Sequence, residues 1–578
     1  MQALLNHIIN LTKNTYYLSV SYKNFLIILL LSCSVQFLIG QNIENIGQQD
    51  PFKVSGTIGG GVTFYNADGK TANREPFSWI IQGSPTFSIY GIEIPFSFTF
   101  SEQERDFRQP FNQFGLSPSY KWVTVHLAYR NIKWSDYSLA GHNFFGAGLE
   151  LNPGKFRFGA VYGTFLKAIA PADNSSGTYQ TPAFKRTGSA VKLGYGTKKN
   201  NADLIVFHAK DAANSIDITN LSLTLFPAEN VVASIRTHQV FFDKLMFDAE
   251  FARSIFNPNL ANPEITALND PMLNVFSFLI KEKQGSLIGN AINAVLGFKE
   301  KTFEIKLKYN RVDPDFRSLG AYYFLTDIEK TTVEPRFKLW KNKLVIGGSY
   351  GIQKDNLSKS KNAQTLRNIY SANINFMPVQ QYNLSANYTN YGITQKPGTQ
   401  PINNQIEIAQ VNQQLSVTQN ISVMTGKSLH LLLLLWNYQN LSDDNSNTSQ
   451  FSEFKSNILS PRYTYSYSPW QFTIGAGYNY SVFDLALGNT KNYGPSATMS
   501  KVFKKPRLNV SASYNYYKIE KDGSTDSKAF TLSFQSKYKI GKRHQFSGRF
   551  HINDGNVTGI NPLNYSETKI DFGYVYSF

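Results

Sequence analysis

The sequence predicts an all-β fold, a single large antiparallel transmembrane β-barrel of about 26 strands within a range of roughly 24–28. Apolar and polar residues alternate with a period of two over most of residues 52–578. The alternating segments are about ten residues or longer, which suits a tilted membrane-spanning strand. Short and long polar connections largely alternate between them, which is typical of a barrel with turns at one end and loops at the other.

A single segment shows the alternation that predicts each strand. In residues 302–310 the apolar Phe303, Ile305, Leu307 and Tyr309 occupy every second position, and polar residues fill the positions between them. Successive strand residues point to opposite faces, so one face is apolar and the other polar. The strands of soluble sandwiches also alternate apolar and polar residues, so alternation alone does not distinguish the two folds. The strand length and the crowding of Tyr, Phe and Trp at segment ends favour the membrane barrel.

Composition agrees with this fold class and excludes others. Aromatic residues make up 14% of the 578 residues and charged residues 17%, which excludes a disordered chain and a coiled coil. The mean hydropathy of −0.29 is too low for a bundle of transmembrane helices. A barrel with an apolar outer face and a polar inner face has a low content of charged residues and a moderate mean hydropathy.

The connections predict which ends of the strands meet. Tight turns are predicted at residues 152–155, 340–343, 504–507 and 539–542, and longer polar loops at 353–367, 394–404, 442–454, 520–528 and 553–567. Turns of this length join neighbouring antiparallel strands, and the longer loops belong at the opposite end of the barrel.

The N-terminal region predicts export. Residues 1–40 resemble a secretory signal peptide, with an apolar stretch at 25–39 and a cut between Gly40 and Gln41; a membrane anchor is the alternative. Residues 41–51 then form a short N-terminal segment and residues 52–578 the barrel. Cys33, the one cysteine, lies within the signal; a lipoprotein cleavage box around it is a second alternative. Removal of Lys13 and Lys23 with the signal lowers the net charge from +17 to +15.

The last predicted strand carries a further signal. Ile570, Phe572, Tyr574, Tyr576 and Phe578 alternate to the final residue. This pattern resembles the C-terminal signature of bacterial outer-membrane barrels that the barrel assembly machinery reads. We therefore predict insertion by that machinery into the outer membrane of a Gram-negative cell.

One stretch departs from the strand pattern. Within residues 257–290, Val275, Phe276, Leu279 and Ile280 are spaced as on one face of a helix, together with Met272. We predict a helical insert there, in a loop or in the lumen; a poorly patterned strand is the alternative. Residues 41–50 are too few for an N-terminal plug domain, so any plug comes from loops or from another chain.

The sequence contains no motif for enzymatic, cofactor or metal chemistry. It has no phosphate-binding loop, no His-Glu-x-x-His motif and no EF-hand loop. The histidines after the signal are scattered, and the Asp/Asn-rich residues 443–447 read as a solvated loop. We predict neither an enzyme nor a cofactor.

Two polar groups are candidate sites. The first is a lumenal charge cluster of His126, Arg130, Glu150 and Arg157, which lie on predicted non-apolar strand faces. These side chains either keep a water-filled wall hydrated or form a constriction that selects solutes. The second is a loop with charge pairs and aromatic residues, which packs on itself, folds into the lumen or binds a partner. Its candidate residues are Arg311, Asp313, Asp315, Arg317, Tyr322 and Tyr323. The leucine run at 431–435 places leucine on both faces, which indicates an element packed inside, such as the helical insert; an interruption of the pattern with little consequence is an equal alternative.

The basic charge does not indicate nucleic acid, because the cations are dispersed over turns, loops and strand faces and the chain is predicted to be exported. Attraction to lipopolysaccharide phosphates or an anion-favouring lumen explains it better.

Three stretches, residues 111–122, 139–158 and 313–324, resemble large, largely uncharacterised outer-membrane β-barrel proteins of Bacteroidota. The resemblance implies location and fold and assigns no functional residues. The leading hypothesis is an outer-membrane channel or passive transporter for solutes. The alternative is a secretion-linked or structural barrel that docks a surface lipoprotein, a secretion-system partner or periplasmic proteins; an outer-membrane enzyme comes third. Outer-membrane lipid and lipopolysaccharide are the other predicted partners.

Overall fold

A computed structural model describes residues 51–90, 92–101, 113–170, 182–217, 225–265, 275–321, 324–397, 408–485, 488–558 and 562–578. The predicted signal peptide lies outside these residues. The chain divides into two compact units. In the smaller unit, the amide of Tyr90 donates to the carbonyl of Pro51 at 3.3 Å. The larger unit, Val54–Phe87 with Ile92–Phe578, holds the barrel.

The strands cover most of the described chain. Their bounds are β1 Phe52–Ser55, β2 Thr57–Asp68, β3 Phe77–Gly83, β4 Thr86–Ile89, β5 Ile92–Ser101, β6 Gln113–Leu116, β7 Ser119–Tyr120, β8 Val123–Asn131, β9 Asn143–Leu151, β10 Phe156–Leu166, β11 Arg186–Gly196, β12 Asn201–Asp211, β13 Glu229–Phe241, β14 Leu245–Asn257, β15 Leu287–Lys299, β16 Phe303–Val312, β17 Ile328–Leu339, β18 Leu344–Lys354, β19 Ala363–Val379, β20 Tyr382–Pro397, β21 Ala409–Thr425, β22 Ser428–Asp443, β23 Phe454–Tyr467, β24 Phe472–Leu485, β25 Gly488–Phe503, β26 Arg507–Lys521, β27 Ser524–Ile540, β28 His544–Val557 and β29 Leu563–Ser577. A short helix, α1 (Ser449–Ser452), and a 3₁₀ turn (Ser468–Trp470) lie between strands.

The sheet closes on itself. Each barrel strand pairs antiparallel with its neighbours in sequence, and β2 pairs with β29 from Thr57 opposite Ser577 to Asp68 opposite Ser566. β1 and β4 pair with each other and are not counted as separate barrel positions, while β6 and β7 together fill one place between β5 and β8. The barrel therefore has 26 strand positions, and the predicted fold class is confirmed.

Alternation fixes which face of each strand points outward. On β11, Val191, Leu193 and Tyr195 are 44–64% exposed, whereas Ala190 and Lys192, at the alternate positions, are buried. The cross-strand register carries the same division from strand to strand, because directly opposed residues share a face. We call the apolar, exposed side the outward face and the other side the inward face.

Turns and loops segregate to opposite ends, as predicted. One end has connections of two to four residues, such as 152–155, 340–343 and 541–543, and we call it the short-turn end. The other end has the longer connections, and we call it the long-loop end. The prediction of a long loop at 520–528 is wrong, because β26 and β27 stay paired to Lys521 opposite Ser524 and leave only Asp522 and Gly523 as the turn. Most of the predicted loop at 394–404 lies outside the described residues.

Two long connections lie inside the barrel. Loop A (residues 132–142) and loop B (residues 313–327, of which 313–321 and 324–327 are described) have described residues that pack on inward faces between β9 and β17. Loop A contributes Trp134 and Leu139 to one buried apolar cluster, with Phe144 and Phe207 of the wall. Loop B contributes Phe316 to a second cluster. The charged faces of the neighbouring strands therefore meet protein rather than water.

The helical insert, predicted in a loop or in the lumen, is a short helical turn in the connection between β14 and β15. Residues 275–280 form a helical turn, in which the amide of Ile280 donates to the carbonyl of Phe276 at 3.1 Å. Ile280 packs against Val231 and Ile255, which lie on the outward face. Met272 lies outside the described residues, among which no helix combines the length and apolar character needed to cross a membrane.

The leucine run does not contact this turn in any buried cluster. In β22, Leu431, Leu433 and Leu435 share the face of Ser460 and Thr464, which is inward. The helical turn, which was one of the two interpretations of this run, lies instead on the outward face of β13–β15. The reason is that the outward residues there remain apolar up to the long-loop end and offer a dry surface.

Candidate functional site

A row of charged side chains crosses the inward faces of β8–β14, beneath loop A. It contains His126, Glu150, Arg157, Lys192, Asp203, Arg236 and Glu250. The closed register puts these residues, which are up to 124 positions apart in sequence, at neighbouring places on one wall. We call them the charge row.

Glu150 is the centre of the row. Its Oε1 accepts a hydrogen bond of 2.9 Å from the indole Nε1 of Trp134 in loop A. The imidazole Nε2 of His126 and the Nζ of Lys192 each lie 3.7 Å from the carboxylate. Lys192 also lies 4.9 Å from the centroid of the Trp134 ring, an attractive position for a cation. Because the Lys192 side chain is only 6% exposed, its charge depends on these neighbours.

Glycine makes room for the loop at this point. Gly159 lies opposite both Glu150 and Lys192. A Cβ atom there would lie 2.5 Å from the Trp134 ring, closer than any real contact. The absence of a side chain at residue 159 therefore lets the indole approach the wall between Glu150 and Lys192.

The row continues through Asp203. The Nη2 of Arg157 lies 3.1 Å from Oδ2 of Asp203, whose side chain is 5% exposed. Gly194 opposite Asp203 again leaves the necessary space, since a Cβ there would lie 1.9 Å from Oδ1. Arg236 stands on the other side of Asp203 in the register. Carboxylates thus lie close to the cations of this wall, which offsets the desolvation of each.

The predicted lumenal cluster is therefore partly assembled. The structure brings His126 and Glu150 together, and Arg157 joins them through Asp203 and Lys192. Arg130 lies apart, where its Nε donates to the carbonyl of Leu116 at 3.1 Å and holds the end of β6. Sequence reasoning missed Lys192 and Asp203, because nothing local to either residue reveals which strand lies opposite.

The far end of the row holds the tip of loop A. The Ser135 hydroxyl donates to one carboxylate oxygen of Glu250, and the amide of Asp136 donates to the other at 3.2 Å. Nη1 of Arg236 donates to the carbonyl of Trp134 at 3.4 Å. The charge row therefore binds the protein's own loop.

The aromatic and histidine side chains of loop A are out of water. Burial raises the pKa of the Tyr137 hydroxyl far above its usual range. Burial also lowers the pKa of His142 to about 4, although its hydrogen bond to the carbonyl of Asn143 works in the opposite direction. His142 packs edge-on against Phe165, with ring centroids 5.0 Å apart.

Loop B is held by a buried aromatic side chain and by a buried amide. Phe316 is fully buried, with its ring centroid 5.8 Å from that of Tyr137 and 5.4 Å from that of Phe324. Asn230, also fully buried, donates from Nδ2 to the carbonyl of Arg317 at 3.2 Å and accepts at Oδ1 from the amide of Leu319 at 3.0 Å. Asn230 therefore pairs with the backbone of loop B in the way a neighbouring strand would.

The predicted residues of loop B have separate positions. Arg311 and Asp313 pair at 3.1 Å, and Arg311 lies on the outward face that carries Leu307. Asp315 is exposed, and Nη1 of Arg317 donates to the carbonyl of Pro314 at 2.7 Å. Tyr322 and Tyr323 lie outside the described residues. The loop both packs on itself and folds inward, and Phe316, which the sequence did not single out, carries the packing.

A cavity of about 600 Å³ separates the loops from part of the wall. Tyr137 and Phe324 line its apolar side, and Lys308, Lys330 and Glu334 line the opposite side on β16 and β17. Lys308 and Glu334 pair at 2.7 Å. Its size falls within the range of small-molecule sites, roughly 300–1,000 Å³.

The remaining wall has a different surface. No buried apolar cluster of the described residues includes a residue of β18–β29. The inward faces there carry mainly serine, threonine and asparagine, as in Ser496, Thr498 and Ser500 opposite Asn515, Ser513 and Ser511. Such side chains suit a wall that borders water. Among the described residues, no group of three or more His, Cys, Asp or Glu is arranged to hold a metal ion.

Comparisons with known proteins give weak structural similarity. No protein-family model and no curated protein matches the chain. Among solved structures, OccAB3 of Acinetobacter baumannii is 14% identical, with 68% of this chain and 99% of that chain covered and a TM-score of 0.31. OpdK of Pseudomonas aeruginosa with vanillate is 10% identical, with 61% of this chain and 93% of that chain covered and a TM-score of 0.30. The FrpB iron transporter of Neisseria meningitidis is 10% identical, with 93% of this chain and 83% of that chain covered and a TM-score of 0.36. The fold assignment depends on the strand pairing of this chain, and the resemblance to Bacteroidota proteins stays a prediction.

Proposed function

We propose that the protein is a channel or passive transporter for polar solutes in the outer membrane of a Gram-negative cell. The observation that carries the proposal is the contrast between the two parts of the inward wall. Between β9 and β17 the wall is covered by loops A and B, whereas the polar inward face of β18–β29 belongs to no buried cluster. A closed barrel with an apolar outside and a polar inside also fits insertion in a lipid bilayer.

Loops A and B act in this proposal as a fixed constriction. Each is tied to the wall by hydrogen bonds: the amide of Asp136 in loop A donates to the Glu250 carboxylate, and the amide of Leu319 in loop B donates to Oδ1 of Asn230. A solute then passes along the wall of β18–β29, exchanging water for hydroxyl and amide groups. Movement follows the concentration gradient, because nothing in this route requires an energy source.

Conductance of the purified barrel in a planar lipid bilayer tests the proposal. We expect discrete conductance steps from protein that migrates as a folded barrel in unheated gel samples. A folded barrel that does not conduct, and that copurifies with a stoichiometric partner, would instead favour the secretion-linked or structural alternative.

A further inference from the structure

Charge is divided unequally between the two ends of the barrel. The connections at the short-turn end contain thirteen lysines and arginines but only two acids, Asp243 and Glu300. The cations are Lys121, Lys155, Lys198, Lys199, Lys244, Lys301, Lys341, Lys343, Lys427, Lys504, Lys505, Lys542 and Arg543. Both acids are already paired, Asp243 with Lys199 at 2.7 Å and Glu300 with Lys244 at 2.5 Å.

The long-loop end shows no such excess. Its described connections contain ten lysines and arginines and twelve acids. The excess positive charge of the chain therefore lies mainly at the short-turn end. If short turns face the periplasm, as in other outer-membrane barrels, this excess lies away from the lipopolysaccharide leaflet.

Next to the short turns, cations also line the inward wall. Arg507 of β26 lies directly opposite Lys539 of β27, and Lys537 follows two residues further along the same face. Arg462 occupies the inward face of β23 nearer the middle of the strand. We call these four residues the inward cations.

No acidic side chain balances them on the neighbouring inward faces. The described inward positions of β23–β26, and of β27 from Ser527 to Lys539, carry no aspartate or glutamate. Lys537 and Lys539 are exposed, and Nη1 of Arg507 donates to the carbonyl of Gly541 at 3.2 Å. Like charges directly opposite each other destabilise a sheet, so stability does not account for the pair of Arg507 and Lys539.

The charge row provides the contrast. Beneath loops A and B, three cations of the inward face have carboxylate partners: Lys192 pairs with Glu150, Arg157 with Asp203 and Lys308 with Glu334. That wall holds loops, and its charges are neutralised by acids of the protein. The wall of β23–β27 holds no buried cluster, and its charges are left for mobile anions.

We propose that the lumen beside β23–β27 selects anionic solutes, which the inward cations attract through the mouth at the short-turn end. This inference rests on the proposed channel function and adds a substrate class, small solutes that carry carboxylate or phosphate groups. Fixed cations raise the local concentration of anions and lower that of cations. The effect extends over the Debye length, about 8 Å at physiological ionic strength, so it acts on solutes that pass near this wall.

The reversal potential across a bilayer with unequal KCl concentrations on its two sides tests the inference. We expect the wild-type barrel to pass chloride in preference to potassium, and the preference to fall as the salt concentration rises. The triple variant R507Q, K537Q and K539Q should lower the ratio of chloride to potassium permeability by about twofold or more. Gluconate in place of chloride tests whether an organic carboxylate follows the same route.

A matched control removes three charges from the other end of the barrel. The variant K185Q, K281Q and K359Q changes long-loop residues and should leave the permeability ratio unchanged. The double variant K537Q and K539Q replaces the triple variant if the latter does not fold. A conducting wild-type barrel without anion preference, or a preference that the inward-cation variants do not reduce, overturns the inference and leaves the channel function standing. A folded barrel that does not conduct overturns both.

Discussion

The backbone amide of Ala140 donates a hydrogen bond of 3.0 Å to the carbonyl of Gly320. These residues lie in loops A and B, so the bond joins two connections that are 180 residues apart in sequence. Ala140 and Ala321 also form an isolated parallel bridge. The two loops therefore support each other inside the barrel, in addition to their separate attachments to the wall.

Replacing Gly320 with alanine should loosen this junction. A Cβ atom at residue 320 would lie 2.3 Å from the carbonyl oxygen of Ser138 and 2.7 Å from the Phe207 ring, so one of the loops has to move. We expect a larger and noisier conductance than in the wild type, together with faster protease cleavage in loop B. The matched control is Gly392→Ala, where the nearest atoms are 3.9 Å away. Equal conductance of G320A and wild type would show that the junction does not restrict the lumen.

The faces and the number of strands could be predicted because alternation is a local property. In residues 302–310 each side chain's neighbours in sequence already assign it to one face. Apolar patterning over ten or more residues also gives the strand count, and the structure has 26 positions within the predicted range.

The site could be predicted only in part because it depends on contacts between distant residues. His126 and Glu150 lie on adjacent strands, and the sequence placed both on the inward wall. The bond from Ser135 to Glu250 spans 115 residues and depends on the registers of the five strands between them, β9–β13. Asn230 is an ordinary polar residue near a strand end, and only its burial beside loop B shows its role.

Replacing Asn230 with alanine should free loop B without opening the barrel. The substitution leaves the amide of Leu319 without its acceptor and removes the donor to the carbonyl of Arg317, at a side chain that is itself fully buried. An unsatisfied buried polar group costs about 1–3 kcal/mol. Hydrogen exchange should show faster exchange at the amides of loop B and little change in the strands. The control Asn373→Ala, at an exposed inward position of β19, should leave loop B protected.

Glu150 and Lys192 should be energetically coupled. Lys192 is 6% exposed, so removing Glu150 leaves a buried ammonium with less compensation. A double-mutant cycle with E150Q and K192M should give a coupling free energy of about 0.5–3 kcal/mol in the free energy of unfolding from detergent micelles.

The control for this cycle is an exposed ion pair in the same loop region. Lys133 and Asp136 are 2.5 Å apart, but their side chains are 60% and 41% exposed. The cycle K133Q and D136N should therefore give about 0–1 kcal/mol. Equal coupling in the two cycles would contradict the view that burial makes the charge row the stronger attachment of loop A.

Acid should weaken the attachment of loop A through His142. Burial lowers the pKa of His142 to about 4 in the folded chain, and the nearby Arg186 lowers it further. The ordinary pKa is about 6.5, so below that pH the unfolded chain binds a proton that the folded chain excludes. The neutral ring therefore contributes fully to the free energy of unfolding above pH 6.5. This contribution is lost as the pH falls toward 4, and the loss is on the order of 3 kcal/mol.

A comparison of the wild type with H142Q separates the effect of the His142 ring from the titration of carboxylates, which both proteins share. The unfolding midpoint in guanidinium should fall more steeply between pH 6.5 and 4 in the wild type than in H142Q, which has no titrating ring at this position. The control H544Q changes an exposed histidine at the short-turn end and should keep the wild-type slope. Parallel curves for the wild type and H142Q would show that the buried imidazole does not link the folding of loop A to pH.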